Sequence, residues 1–201
     1  MSNGLLVGSK IMGGNPKNER IENDFYATNP KAVEMLLDNH EFLGEHILEP
    51  CVGQGHIAKT LNKHFPNLDS ITCLDIVDRG YPNTIITDFL AWNTNETFDT
   101  IITNPPYSLS SEFIEKGMSL LSESGQMALF LKIQFLEGVK RKELFDKYPP
   151  KYVYVFRSRM ATWSDGREIN PDTGKKWITT FCNAWYVWEK GSQTEPVIRW
   201  L

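Results

Sequence analysis

The chain has 201 residues and a formal net charge of −4, with 41% hydrophobic and 23% charged residues. This balance is typical of one globular domain with a sizeable core, and no apolar stretch approaches the roughly 20 residues of a membrane-spanning helix. The N-terminus lacks the pattern of a signal peptide, and the three cysteines are odd in number and far apart. We therefore expect a cytoplasmic protein with no disulfide framework and no membrane partner.

The N-terminal region changes character near residue 24. Residues 1–23 combine several glycines with Asn, Ser and Lys, which is typical of a flexible tail. Residues 24–201 are then expected to form a single domain. Its first helix begins near Thr28 or Asn29, either of which can cap the helix with Pro30 at the first helical position.

A predicted strand, a glycine turn and a predicted helix follow. The strand covers residues 46–50 and the helix residues 56–64, with Gly53 and Gly55 between them. This order opens nucleotide-binding βαβ units, and the two glycines allow a ligand to approach the backbone closely. Glu49, which precedes the glycines, suits a cationic ligand such as an amino group. A plain turn between a strand and a helix is the alternative interpretation.

Two further acids lie near the ends of the next two predicted strands. Asp75 and Ile76 end a strand at residues 70–76, and Asp88 lies near the end of a strand at residues 84–90. In a doubly wound sheet an acid after the second strand binds ribose hydroxyls. Ile76 would offer an apolar surface to an adenine, and Asp88 would accept a hydrogen bond from its amino group. Alternatively, both aspartates only cap turns.

A fourth apolar strand, residues 98–102, leads into Asn104, Pro105, Pro106 and Tyr107, here called the Asn-Pro-Pro-Tyr segment. The two prolines make this segment rigid because they restrict the backbone. The amide oxygen of Asn104 and the carbonyl of Pro105 can accept both hydrogens of a planar –NH₂ group, which turns the nitrogen lone pair towards an electrophile. Tyr107 can lie flat on a planar substrate. Alternatively, the prolines only end the strand.

The remaining residues alternate again between predicted helices and strands. In order, they are a helix from residue 108, a strand at 127–135, a helix at 139–147, a strand at 152–156, a polar loop at 157–180 and a strand at 181–188. Between Gly138 and Ile178, ten Lys and Arg residues outnumber five Asp and Glu residues. A basic face on an acidic body is typical of a polyanion site, with an ordinary solvated surface as the alternative. No Cys or His spacing predicts a metal site.

The acids that end successive strands, followed by the Asn-Pro-Pro-Tyr segment, resemble the motif order of the class I S-adenosylmethionine-dependent methyltransferases. More closely, residues 24–188 are similar to the γ-type enzymes that methylate the N6 amine of adenine in DNA. The resemblance implies an α/β fold with a Rossmann-like, seven-stranded, mostly parallel sheet, an antiparallel seventh strand and helices on both faces. It also implies S-adenosyl-L-methionine as the cofactor.

The resemblance gives a role to each matching residue. The implied catalytic residues are Asn104, Pro105, Pro106 and Tyr107. The implied cofactor-binding residues are Tyr26, Thr28, Pro30, Glu49, Gly53, Gly55, Asp75, Ile76, Asp88, Phe89 and Phe113. An aromatic residue after the sixth strand often stacks on the target base in this family, and Trp163 is the first candidate here, before Trp177 and Phe156. The phosphate-binding candidates are Arg157, Arg159 and Lys140.

The implied activity is methyl transfer to the N6 amine of an adenine that has been flipped out of duplex DNA. No metal is expected to take part, and we expect a monomer in the cytoplasm of a bacterial or phage-infected cell. The loop at 157–180 is small for this family, so we expect slight sequence readout or a partner that supplies it. Three alternatives remain: methylation of adenine in RNA, methylation of protein glutamine, and a non-catalytic nucleic-acid-binding module with this fold.

Overall fold

The computed structural model describes residues 25–42, 46–66, 68 and 70–201, so the predicted flexible tail lies outside the described residues. The α-helices are α1 (Pro30–Leu37), α2 (His56–His64), α3 (Ser110–Leu120) and α4 (Lys142–Lys147). The strands are β1 (Tyr26–Ala27), β2 (Ile47–Glu49), β3 (Ile71–Asp75), β4 (Ile85–Ile86), β5 (Phe98–Thr103), β6 (Leu121–Lys132), β7 (Tyr152–Val155), β8 (Trp163–Ser164), β9 (Asn183–Glu189) and β10 (Val197–Trp200). Short 3₁₀ turns cover Tyr107–Leu109, Ile133–Leu136 and Val139–Arg141.

Eight strands form the central sheet in the order β10-β7-β9-β6-β5-β2-β3-β4. Neighbouring strands are parallel, except that β9 runs antiparallel to both β6 and β7. The predicted mostly parallel sheet with an antiparallel late strand is therefore confirmed. The prediction of seven strands missed β10, which pairs with β7 at one edge of the sheet.

Helices cover both faces of the sheet, as predicted. The buried side chains of α1 and α2, among them Leu36 and Leu61, pack in one cluster. Those of α3 and α4, among them Ile114 and Leu144, pack in another. The two clusters are joined through the strands, whose side chains alternate between the faces.

The alternation is clearest in β6, which lies in the middle of the sheet. Its side chains Met127, Leu129 and Leu131 face the cluster of α3 and α4, whereas Ala128 and Phe130 face the cluster of α1 and α2. A strand that is buried on both faces must be apolar without interruption, which explains the long apolar run in the sequence.

The third predicted strand, at residues 84–90, is mostly wrong, because only Ile85 and Ile86 form the edge strand β4. Asp88 instead closes a turn, where its carboxylate accepts a hydrogen bond from the Leu90 N–H at 2.9 Å and its carbonyl one from the Trp92 N–H at 2.8 Å. A short polar side chain that bonds to nearby backbone competes with the strand and ends it.

Other predicted boundaries move as well. The strand predicted at residues 127–135 is β6, which begins at Leu121 directly after α3 and ends at Lys132. Its pairing with β5 shifts register between Phe98 and Thr100, so the first residues of β6 form an irregular entry into the sheet. The helix predicted at 139–147 begins as a 3₁₀ turn and becomes α-helical only at Lys142.

A small antiparallel ribbon joins the N-terminal segment to the loop at 157–180. In it, Tyr26 pairs with Ser164 and Ala27 with Trp163. Directly after β1, Asn29 caps α1 by accepting a hydrogen bond from the Lys31 N–H at 3.0 Å. The predicted cap is therefore confirmed, and the ribbon holds both segments together. Within the described residues, no helix is long and apolar enough to cross a membrane.

Candidate active site

The carboxyl ends of four neighbouring parallel strands bring together the polar residues of the candidate site. Glu49 ends β2, Asp75 ends β3, Asn104 follows β5 and Lys132 ends β6. These strands are adjacent in the order β6-β5-β2-β3, so all four residues lie along the side of the sheet formed by the carboxyl ends of its parallel strands, which we call the active edge. This is the edge at which ligands bind in open α/β sheets.

The side chain of Asn104 is oriented by the N-terminal segment. Its Nδ2 atom donates a hydrogen bond to the main-chain carbonyl of Tyr26 at 3.0 Å. This contact assigns the two ends of the amide, so that Oδ1 is the acceptor presented by the Asn-Pro-Pro-Tyr segment. The Pro106 carbonyl accepts from the Leu109 N–H at 2.9 Å, which leaves Pro105 as the source of the predicted second acceptor.

The glycine turn after β2 is shaped by contacts that admit no side chain. Gly53 and Gly55 have φ angles of 55° and 79°, in the left-handed region that favours glycine. A Cβ atom on Gly53 would lie 2.3 Å from the Phe25 ring, and one on Gly55 would lie 2.0 Å from the Tyr81 ring. Both glycines are therefore required by their φ angles and by the aromatic rings that cover them.

Asp75 holds this turn in place. Its Oδ2 atom accepts a hydrogen bond from the Gly53 N–H at 2.8 Å, and its Oδ1 atom accepts one from the Val77 N–H at 3.0 Å. Each carboxylate oxygen has a second lone pair, so the predicted contact with ribose hydroxyls is still available to it. The structure therefore shows Asp75 capping turns, as the alternative interpretation predicted, and its contact with the ribose stays a prediction.

Glu49 is a buried acid with an unused acceptor. Its side chain is 1% exposed, and no described residue donates a hydrogen bond to its Oε2 atom. Burial raises the pKa of this carboxyl well above its usual value, and the nearby charge of Asp75 raises it further, whereas a hydrogen bond from the Ala58 main chain opposes the shift. A buried carboxyl oxygen without a donor suits a ligand that brings an ammonium group.

The predicted adenine-binding residues differ in their accessibility. Ile76 is 58% exposed, and Asp88 is also exposed after β4, so both can contact a ligand. Phe89 and Phe113 are buried, with ring centroids 4.9 Å apart. The structure thus brings these two phenylalanines together inside the core, and the contact of Phe113 with the cofactor stays a prediction.

Two residues at this edge were not identified by sequence analysis, namely Lys132 as a site residue and Phe181. The Nζ atom of Lys132 lies 5.0 Å from the centroid of the Tyr107 ring and 3.8 Å from that of Phe181. The only available signal was that Lys132 is the lone charge in the apolar strand predicted at residues 127–135. Lys132 therefore contacts two aromatic rings, those of Tyr107 and Phe181.

Trp163, the predicted stacking residue, lies on the small ribbon. Its ring packs edge-on against His56 with centroids 5.6 Å apart. It also lines a cavity of about 330 Å³ between the start of α1 and the loop at 157–180. The other residues that line the cavity are Asn29, Pro30, Lys31, Arg159, Met160, Ala161, Glu168, Lys176 and Trp177. Trp163 and Arg159 thus share one cavity, whereas Arg157 and Lys140 are exposed and do not line it.

No family model matches the chain. Over 100 residues it is 33% identical to the type II methyltransferase M.CvrRI of Paramecium bursaria Chlorella virus XZ-6E, a match that covers 45% of this chain and 26% of that protein. The methyltransferase subunit of a type I restriction-modification system from Streptococcus thermophilus has a TM-score of 0.62 at 16% identity, covering 89% of this chain and 48% of that one.

A Listeria monocytogenes protein assigned to the class I S-adenosylmethionine-dependent methyltransferases has a TM-score of 0.60 at 13% identity, with 96% of this chain and 70% of that chain covered. The chain has the class I methyltransferase fold. The resemblance found in the sequence is therefore confirmed at the level of the fold. The chain spans about a quarter of the length of the curated relative it matches, since the match covers 26% of that protein.

Proposed function

We propose that the chain transfers a methyl group from S-adenosylmethionine to the exocyclic N6 amine of adenine in DNA. The observation that carries this proposal is the orientation of Asn104, whose Nδ2 atom is bonded to the Tyr26 carbonyl so that Oδ1 is left as an acceptor. An acceptor held in place before the substrate arrives needs no reorganisation during the reaction.

The Asn-Pro-Pro-Tyr segment would orient the lone pair of the amine nitrogen and would not remove a proton as a general base. The Asn104 Oδ1 atom and the Pro105 carbonyl would accept hydrogen bonds from the two N–H groups of the amine, so that the nitrogen lone pair points away from the base plane. S-adenosylmethionine supplies, when bound, a methyl group on a positively charged sulfur. The new N–C bond forms as the S–C bond breaks with its electron pair remaining on sulfur, and the surplus proton on nitrogen leaves to water.

The residues at the ends of β2 and β3 fit this cofactor. The unpartnered Oε2 atom of buried Glu49 suits the amino group of its methionine part. Gly53 and Gly55 give the turn its left-handed backbone beneath the Phe25 and Tyr81 rings, and Asp75 retains lone pairs for the ribose. Exposed Ile76 provides an apolar surface for the adenine. The proposed cofactor site is completed by six further residues, namely Tyr26, Thr28, Pro30, Asp88, Phe89 and Phe113.

A nucleic acid is favoured as the substrate by the cavity beside the ribbon. Its lining combines Trp163 and Trp177 with Lys31, Arg159 and Lys176, and it includes one acid, Glu168, which pairs with Lys176 at 3.0 Å. Aromatic rings that stack on bases and cations that bind phosphates are the two components of single-strand recognition. The cavity volume of about 330 Å³ is at the lower end of the range for small-molecule sites, which suits a single nucleotide. DNA is favoured over RNA because one similar protein is named a type II methyltransferase and another the methyltransferase subunit of a type I restriction-modification system.

The test is transfer of a labelled methyl group to duplex DNA, to RNA and to a Gly-Gln peptide. We expect label in DNA, in the form of N6-methyladenine. Label in RNA alone, or in the peptide alone, would show that the substrate is RNA or protein and not DNA. Failure to bind S-adenosylmethionine at all would favour the non-catalytic alternative.

Asn104→Ala tests the role of the amide. We expect transfer to fall by about 10²–10³-fold, because one preorganised acceptor is lost, while the affinity for S-adenosylmethionine changes little. Asn95→Ala, at an exposed asparagine outside the site, is the matched control and should leave both unchanged. Equal loss of transfer and of cofactor affinity in Asn104→Ala would contradict the assigned role.

A further inference from the structure

Lys132 is a cation enclosed by aromatic rings at the active edge of the sheet. Its Nζ atom lies 3.8 Å from the Phe181 ring centroid and 5.0 Å from that of Tyr107. Its position follows from the fold, because Lys132 pairs with Asn183 where β6 meets β9, which brings Phe181 alongside. The Ile133 N–H also donates to the Cys182 carbonyl at 2.8 Å, which holds the Phe181 segment against the end of β6.

The ammonium group has unused hydrogen-bonding capacity. It carries three N–H donors, and no described residue is recorded as accepting from them. The side chain is partly buried, and this burial lowers the pKa of Lys132. Packing alone does not require this arrangement, since an apolar side chain would fill the space without the cost of desolvating a charge. The unused donors therefore point to an acceptor on a ligand.

The space around the ammonium suits a planar ligand. A base stacked between two rings requires roughly 7–8 Å between them, because carbon layers pack at about 3.5–4.0 Å. The two distances set only an upper limit on the ring separation, but the ammonium lies within 5.0 Å of both ring centroids, where an entering base would meet both rings. Ring faces carry negative partial charge, so this position favours a neutral base over a phosphate.

We propose that Lys132 recognises the target base: its ammonium moves from between the Tyr107 and Phe181 rings to the edge of the entering base, where it donates a hydrogen bond to a ring nitrogen. The proposal rests on the proposed function, because it assumes that the base reaches the Asn-Pro-Pro-Tyr segment. Lys132 would thus determine which bases are accepted.

The experiment compares the wild-type chain with Lys132→Met on DNA whose methylated site has been mapped. The target adenine is replaced in turn by 1-deaza, 3-deaza and 7-deaza adenine, each of which lacks one ring acceptor. On ordinary adenine we expect Lys132→Met to lower kcat/KM by about 10- to 100-fold, the loss of one hydrogen bond to a charged group. One deaza base should slow the wild-type chain to a similar extent and should slow Lys132→Met no further.

Lys147→Met is the matched control, because Lys147 also holds its Nζ atom near a tyrosine ring, 4.8 Å from the centroid of Tyr148. It should retain wild-type kcat/KM. Thermal unfolding and the affinity for S-adenosylmethionine show whether Lys132→Met is folded, and Lys132→Gln provides a second variant if it is not.

Three outcomes would overturn the assignment of Lys132. The first is unchanged kinetics in Lys132→Met, and the second is an equal effect of Lys132→Met on every deaza base. The third is a slope of log K against log salt for DNA binding that falls by about one in Lys132→Met, which would indicate a phosphate contact. If the wild-type chain methylates no DNA, the proposed function itself fails. The two failures are thus distinguishable.

Discussion

At the scale of single residues, the site depends on backbone groups that orient side chains. Asn104 is oriented by the Tyr26 carbonyl, and Asp75 in turn holds the Gly53 N–H. The sequence identifies Asn104 and the acids, since their positions after strands are visible in the pattern. It does not identify their partners, because the distance between Tyr26 and Asn104 along the chain is bridged only by the fold.

Gly53→Ala is the first prediction at this scale. The substitution places a Cβ atom 2.3 Å from the Phe25 ring at a residue with a φ angle of 55°. We expect a loss of about 2–5 kcal/mol in the free energy of unfolding, from backbone strain of about 1–2 and overpacking of about 1–3. Denaturant unfolding measures this loss, and S-adenosylmethionine affinity should fall with it.

Gly191→Ala separates the two causes. Gly191 has a φ angle of 77°, but nothing lies within 4 Å of the added Cβ atom. It should therefore show only the backbone cost of about 1–2 kcal/mol and no change in cofactor affinity. If the two variants lose the same free energy, the Phe25 ring does not constrain the glycine turn.

At the scale of elements, the strands that are buried on both faces were predicted well and the edge strands were not. The interior strands β5, β6 and β9 appear as apolar runs because helices cover both sides of them. β10 was missed because its four residues are all exposed and show no alternation. The start of β6 was missed because its first residues include Ser122, Ser124 and Gly125, which are typical of a loop and form the irregular entry into the sheet.

The candidate site was predicted to a similar extent, for a related reason. Glu49, Asp75 and Asn104 follow strands that the sequence identifies, so their meeting at one edge could be expected. Lys132 and Phe181 could not be paired from the sequence, because their contact depends on β9 lying antiparallel beside β6. Residues that one element contributes are readable from the pattern, whereas contacts across non-consecutive strands are not.

The packing of α3 on the sheet gives the prediction at this scale. A Cβ atom on Gly117 would lie 2.4 Å from the Sδ atom of Met127, a side chain that is fully buried in β6. Gly117→Ala should therefore reduce stability by up to about 2 kcal/mol, because an overpacking cost of about 1–3 kcal/mol is offset by the roughly 1 kcal/mol by which alanine favours a helix over glycine. Chemical denaturation measures the change.

A second substitution tests this cause. Met127→Ala alone should destabilise the chain by about 2–5 kcal/mol because it leaves a cavity. In the double variant the methyl groups of the two introduced alanines share the space that the Met127 side chain leaves. The combined loss of stability should therefore be smaller than the sum of the single losses. Additive losses would show that Gly117 and Met127 are not in contact.

At the scale of the whole molecule, charge is distributed unevenly. The chain carries a formal net charge of −4, yet the segment from Gly138 to Ile178 is basic. The fold brings part of that segment beside α1, where the cavity collects Lys31, Arg159 and Lys176. A polyanion would therefore bind to one side of a protein that repels it elsewhere.

Lys176 and Lys175 offer a direct comparison of position within this charge pattern. Both lysines are exposed, but only Lys176 lines the cavity, where its Nζ atom pairs with Glu168 at 3.0 Å. We expect Lys176→Gln to weaken DNA binding and to lower the slope of log K against log salt by about one, the value for one lost phosphate contact. Lys175→Gln should leave the slope unchanged, and equal effects of the two substitutions would show that the cavity does not bind the backbone.

The burial of Glu49 has a consequence for calorimetry. In the empty site its raised pKa keeps the carboxyl protonated to a higher pH than usual, whereas an ammonium placed beside it would lower that pKa again. Between those two pKa values, cofactor uptake would expel a proton, so affinity would increase with pH. Titration heats should consequently differ between Tris and phosphate, and Glu49→Gln should abolish the difference; identical heats for the unaltered chain would refute the coupling.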